Sequence, residues 1–133
     1  MSESLDLVRS IYPAWERGDF GSTDWADPDI EFGFADGPEP QRWSGIDGMT
    51  EGWLAFMRTW ADFRAEPTEY IEVDEHRVLV FVRFRGQAKA SGIELREMEE
   101  KNAMLAELRD GRVARLLLYW DRDRALADLG LTE

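Results

Sequence analysis

The chain has 133 residues, 44% of them hydrophobic and 33% charged, with a formal net charge of −12. A core of ordinary size is built from roughly 100–150 residues, so a single domain over 1–133 is expected. The charge disfavours nucleic acid and anionic membranes as partners, since phosphate binding needs clustered cations. No cysteine and a single histidine exclude disulfides, thiol nucleophiles and multi-histidine metal sites.

Leu5, Val8, Ile11, Tyr12 and Trp15 recur at three- and four-residue spacing and predict a helix over 4–17. Pro13 should kink it or weaken its second half, and Gly18-Asp19 should end it. A short helical turn is expected over 22–25, followed by a break at Asp27-Pro28. Ile30, Phe32 and Phe34 alternate with Glu31, Gly33 and Ala35, the pattern of a strand with an aromatic inner face. Residues 36–42 read as a loop. A longer helix is expected over 46–62, with Met49, Trp53, Phe56, Met57 and Trp60 on one side.

Tyr70–Val73 and Val78–Phe84 should pair as a hairpin across Asp74-Glu75-His76. Val78, Val80, Val82 and Phe84 share one face of the second strand; Leu79, Phe81, Arg83 and Arg85 share the other. Residues 93–108 have helical propensity, but the following Asp110-Gly111 turn favours a strand, irregular around Glu97–Lys101. The run Leu116–Trp120 is apolar at odd and even positions alike, so both of its faces must be covered. Asp121-Arg122-Asp123-Arg124 ends that run, and a short helix follows up to Gly130. The order is helix, short helix, strand, helix, four strands and helix, an α+β architecture with helices against a bent antiparallel sheet.

Several local signatures, in this order, resemble the SnoaL-like branch of the ketosteroid-isomerase and nuclear-transport-factor-2-like superfamily. They are Ala14-Trp15-Glu16-Arg17-Gly18-Asp19-Phe20, Trp43-Ser44-Gly45-Ile46-Asp47-Gly48, Ser91-Gly92-Ile93-Glu94, Leu108-Arg109-Asp110-Gly111-Arg112-Val113 and Ala125-Leu126-Ala127-Asp128-Leu129-Gly130-Leu131. The resemblance implies a cone, a curved and partly open sheet wrapped around the N-terminal helices, with an apolar pocket opening at one end. In such a cone Val78, Val80, Val82, Phe84, Leu116, Leu118 and Trp120 point inward. Leu79, Phe81, Leu105, Leu117 and Tyr119 form an outer stripe, through which a homodimer is implied.

The residues of the known chemistries carry over poorly. Ketosteroid isomerases use an Asp base with a Tyr and a protonated Asp as oxyanion donors. Those positions fall here on Phe34, on Ile11 (with Tyr12 adjacent) and near Met104. The paired histidines of scytalone-dehydratase-like relatives are missing, and the Asp-Arg-Asp set of limonene-epoxide-hydrolase-like members has no counterpart.

Within the implied cone the expected pocket residues are Tyr12, Trp15, Trp25, Phe32, Phe34, Trp43, Trp53, Phe56, Trp60, Val80, Val82, Met104, Leu118 and Trp120. Each ring alone is an ordinary core residue. Together they point to an apolar site for a lipophilic or polycyclic compound, with Trp25 and Trp43 near its entrance. Tyr12 is the best internal hydrogen-bond donor. Asp121 and Glu97 are the carboxylates placed to act as a base, although Asp121 reads equally as a cap or an ion-pair partner. His76 reads as a solvated turn residue. The expectation is a cytoplasmic, cofactor-independent protein that binds a small molecule. It either catalyses proton transfer of the isomerase, cyclase or dehydratase type, or serves as a non-catalytic ligand-binding or dimerisation module.

Overall fold

The computed structural model describes residues 3–19, 23–35, 42–88 and 101–131. Its elements are α1 (Glu3–Glu16), β1 (Ala26–Phe34), β2 (Arg42–Ser44), α2 (Gly45–Thr59), β3 (Trp60–Asp74), β4 (Arg77–Ala88), β5 (Asn102–Arg109), β6 (Arg112–Tyr119) and α3 (Arg122–Asp128). The six strands form one open sheet in the order β2-β1-β6-β5-β4-β3. Neighbours are antiparallel except β1 and β6, which run parallel, so the sheet is mixed rather than wholly antiparallel.

Helix α1 turns Val8, Ile11, Tyr12 and Trp15 into the core and continues through Pro13 to Glu16. It ends on Gly18, whose φ of 81° allows the Gly18 N–H to bond Trp15 O at 3.1 Å and the Asp19 N–H to bond Ala14 O at 2.9 Å. This is the left-handed stop that glycine favours. The β5–β6 hairpin turns through Asp110 (φ 52°) and Gly111 (φ 78°), matching the right-handed twist of the strands it joins.

Four expectations about elements change. No short helix forms at 23–25; Asp24 and Trp25 make a turn, and β1 runs straight through Asp27-Pro28. The pairing of β1 with β6 shifts between Ala26 and Glu31, which accommodates a proline that cannot donate to a ladder. Arg42–Ser44 form a short strand, β2, antiparallel to β1. Helix α2 ends at Thr59, and Trp60 opens β3, which passes Pro67 with another register shift between Pro67 and Glu69. The irregular section expected at 97–101 lies, apart from Lys101, outside the described residues.

The sheet separates two apolar clusters, and the alternation along β4 and β6 assigns their faces. Val78, Val80, Val82, Phe84, Leu116 and Leu118 lie in the inner cluster with the apolar sides of α1 and α2, and half-buried Trp120 packs against it. Leu79, Leu105, Leu117 and Tyr119 lie in the outer one, with half-buried Phe81 packed against it. The helices therefore do not share one side. Helix α3 places Ala125, Leu126 and Leu129 on the outer cluster, and Tyr119 Oη donates to Asp128 Oδ2 at 3.0 Å. The outer residues were expected as an exposed stripe, but Leu79, Leu105, Leu117 and Tyr119 are buried within the single chain.

Candidate functional site

The interior between the concave sheet face and helices α1 and α2 is paved with aromatic rings. A continuous path of ring contacts runs from Trp25 to Trp15 at 5.6 Å, to Trp53 at 5.5 Å and to Phe63 at 6.2 Å. It continues through Phe84 at 5.3 Å to Trp120 at 5.4 Å and Trp60 at 6.2 Å. A branch joins Trp53 to Phe32 at 4.9 Å, and Phe32 to Phe34 and Trp43 at 6.0 and 5.8 Å. Most of these pairs are edge-on or tilted, the arrangement that ring quadrupoles favour. The sheet wall beneath them is Val80, Val82, Met104 and Leu118, all buried.

Gly52 makes the branch possible. A Cβ on it would lie 2.8 Å from Phe32 Cε2 and 2.8 Å from Trp43 Cε3. The missing side chain lets α2 lie directly on the two rings.

Tyr12 brings a hydroxyl into this interior. Its hydroxyl is buried and donates to Met104 Sδ at 3.3 Å, and its ring packs edge-on against Trp15 at 4.9 Å and Tyr70 at 5.9 Å. Burial, and secondarily the neighbouring Tyr70, push its phenol well above the usual 10.0, so the group is a neutral donor throughout the physiological range. A thioether is a weak acceptor, so this bond is a poor match for a buried phenol. The contact joins Tyr12, the neighbour of the Ile11 position to which the resemblance assigns a tyrosine donor, with Met104, near the position to which it assigns a carboxyl.

Other candidates fall elsewhere. Asp121 is exposed and caps α3, its Oδ1 accepting from the Asp123 N–H at 2.9 Å. His76 is exposed in the β3–β4 turn, where its N–H donates to Asp74 Oδ1 at 2.9 Å. Glu97 and the Phe56 side chain lie outside the described residues. Phe34, the position to which the resemblance assigns a base, is buried beside Trp43, with ring centroids 5.9 Å apart. Among the described residues no group of three or more His, Cys, Asp or Glu side chains is placed to hold a metal.

Two contributors were not anticipated. Tyr70 stands next to Tyr12 with the Arg9 guanidinium 5.2 Å from its ring centre. Buried Asn102 ties strand ends together, accepting from the Phe84 N–H at 3.2 Å and donating to Trp120 O at 2.9 Å. An amide within an otherwise apolar strand was the available signal for Asn102.

Residues 8–116 match the SnoaL-like domain family, and the chain belongs to it. No curated protein sequence matches the chain. Among solved structures, a candidate polyketide cyclase from Sinorhizobium meliloti is 24% identical, with a TM-score of 0.64 over 85% of this chain and 93% of that one. A candidate SnoaL-like polyketide cyclase from Jannaschia sp. CCS1 is 15% identical, with a TM-score of 0.70 over 98% and 93%. A hypothetical protein of ketosteroid-isomerase-like fold from Catenulispora acidiphila, in complex with trimethylamine, is 13% identical, with a TM-score of 0.68 over 96% and 94%. At these identities the likeness is one of fold, the cone expected above. No helix among the described residues is long and apolar enough to cross a membrane.

Proposed function

We propose that the chain binds a small, lipophilic carbonyl compound in the aromatic interior, with the Tyr12 hydroxyl donating to the ligand's carbonyl oxygen. The observation that carries this reading is the Tyr12–Met104 contact. A buried phenol whose acceptor is a thioether gains by exchanging it for a carbonyl oxygen, a far better acceptor. The rings around it suit a flat polycyclic body, and the polyketide-cyclase names carried by two similar structures fit that class of ligand. A hydrogen bond from Tyr12 would also polarise the carbonyl, the electrophilic half of cofactor-independent isomerisation, cyclisation or dehydration. The other half needs a carboxylate within reach of the substrate, and Phe34 and Met104 occupy the positions where related isomerases carry one. That favours binding over turnover as the second reading, a non-catalytic ligand-binding module.

A homodimer through the outer sheet face would have less apolar surface to use than the stripe implied. Its available residues there are the half-buried Ile71, Val73 and Phe81, and sedimentation equilibrium would measure the association.

Tryptophan fluorescence tests the main reading, because Trp15 packs against Tyr12. Titration with planar polycyclic ketones should give saturable quenching at micromolar ligand, weakened by Tyr12→Phe. Absence of quenching across the panel, or equal affinity in Tyr12→Phe, would refute it.

A further inference from the structure

We propose that the groove where α1 ends against β3 is a separate binding site for an organic monocarboxylate with a flat apolar body. The groove has a volume of about 370 Å³ and is lined by Arg17, Gly18 and Met57 and by residues 60–64 of β3, a size within the usual range for small-molecule sites. Its apolar surface is half-buried Met57 and Trp60, both packed on the inner cluster. Trp60 is the outermost ring of the aromatic path, 6.2 Å from Trp120.

Three features mark the groove, and the first of them marks it for an anion. Acidic residues outnumber basic ones 28 to 16, so a guanidinium in this chain has many carboxylates to choose from. Arg77, Arg85, Arg109, Arg115 and Arg124 each lie within ion-pair distance of one. Among the described residues no such pair includes Arg17 or Arg64; the same holds for Arg9, Arg42, Arg58, Arg83, Arg112 and Arg122, but Arg17 and Arg64 face one groove together. Secondly, the backbone is bent to form the wall. Asp62 holds φ at 54°, and the β3–β4 pairing shifts between Ala61 and Arg64. A regular strand would offer the groove alternate residues, whereas Ala61, Asp62, Phe63 and Arg64 all line it. Thirdly, a Cβ on Gly18 would come 3.8 Å from Arg64 Cγ, so the arginine stem runs close against the end of α1. A planar carboxylate matches the forked guanidinium, and its apolar body would lie on Trp60 and Met57.

Asp62 also lines the groove, and its negative charge opposes such a ligand. That gives the proposal a signature: Asp62→Asn should strengthen binding, and asparagine tolerates the same left-handed backbone.

The test titrates the whole chain with 2-naphthoate and, separately, with 2-naphthalenemethanol, a neutral analogue without a carbonyl, following tryptophan fluorescence and calorimetry. Naphthoate should bind about fivefold or more tighter than the alcohol, and added salt should weaken it. The Arg17→Gln, Arg64→Gln double variant should erase that preference, and Tyr12→Phe should leave naphthoate affinity unchanged. Equal affinity for acid and alcohol, unchanged naphthoate binding in the double glutamine variant, or weaker binding in Asp62→Asn would each overturn the proposal. If Tyr12→Phe weakened naphthoate while the arginine variant did not, the anion would be entering the interior. That result would sink the groove site and keep the interior reading. Loss of ketone binding with naphthoate binding intact would do the reverse.

Discussion

Replacing Gly52 by alanine should destabilise the protein, although alanine is much the better helix former. The new methyl group would sit 2.8 Å from Phe32 Cε2, 2.9 Å from Phe32 Cδ2 and 2.8 Å from Trp43 Cε3. Neither ring can retreat freely. Phe32 is held against Trp53 at 4.9 Å and Trp43 against Phe34 at 5.9 Å. Overpacking a core costs typically 1–3 kcal/mol, and two crowded rings place this case at about 3. The gain in helix propensity from Gly to Ala is about 1 kcal/mol, leaving a net loss of about 2. Gly48, one turn earlier in α2, is the control: a Cβ there meets Trp43 Cβ at 3.4 Å, close to ordinary contact, so the propensity gain should survive. Gly48→Ala is expected between neutral and about 1 kcal/mol more stable. Urea unfolding followed by far-UV circular dichroism would separate the two, with unchanged m-values and midpoints displaced in opposite directions. Gly52→Ala matching or exceeding Gly48→Ala in stability would refute the close approach of α2 to the rings.

Three further outcomes follow from charge and capping. Tyr12 is protonated in both folded and unfolded chains below pH 10, but above it only the unfolded chain releases the proton, because burial holds the folded phenol well above 10.0. Stability should therefore fall as pH rises past about 10, and Tyr12→Phe should make that fall shallower in urea midpoints taken on either side. On the acid side, the Asp29 N–H and then Arg109, 3.3 Å away, hold the Asp27 carboxyl below its usual value. Its contribution is present above the ordinary carboxylate range and is lost as pH falls through the lowered value. Asp27→Asn should be less stable than the parent at neutral pH and show a shallower acid slope. Asp121→Ala removes the cap of α3 and should cost about 1 kcal/mol, seen as faster amide exchange over 122–129 with α1 unaffected.

Much of the fold was legible because burial imposes periodicity. The alternation along Val78–Phe84 and Leu116–Trp120 placed those side chains on the faces they occupy, and the spacing from Leu5 to Trp15 marked α1. The misses share a cause, tertiary pairing overriding local signals. Trp60 continues the helical spacing of Met49, Trp53 and Met57, yet it pairs with Ala88 as the first residue of β3. Pro28 read as a break, but register shifts beside it and beside Pro67 leave the strands intact. A run apolar on both parities demands two covers without saying whether the second is a partner or the chain itself; here α3 supplies it. The groove at Arg17 and Arg64 had no sequence signal, because it depends on the left-handed backbone at Asp62 and on two residues 47 positions apart.

The interior site was legible as composition and opaque as chemistry. Tyr12 and Met104 were both named, but their meeting depends on how α1 lies over β3 and β4 so that the Tyr12 side chain reaches β5. That contact can be dissected by a double-mutant cycle. Met104→Leu keeps volume and apolarity but removes the acceptor, leaving a buried phenol donor without a partner, which costs about 1 kcal/mol, the low end for an unsatisfied group since the lost partner is weak. Tyr12→Phe removes donor and demand together and should cost less. In the double variant neither defect remains, so the combined loss should fall short of the sum of the two by about 0.5–1 kcal/mol in urea unfolding. Additive losses would mean that the hydroxyl and the sulfur, 3.3 Å apart, do not interact in solution. The same variants bear on function, because a ligand carbonyl competes with the sulfur for one proton. Met104→Leu should bind polycyclic ketones more tightly than the parent while unfolding more easily. Stability and affinity would then move in opposite directions, which simple core damage cannot produce.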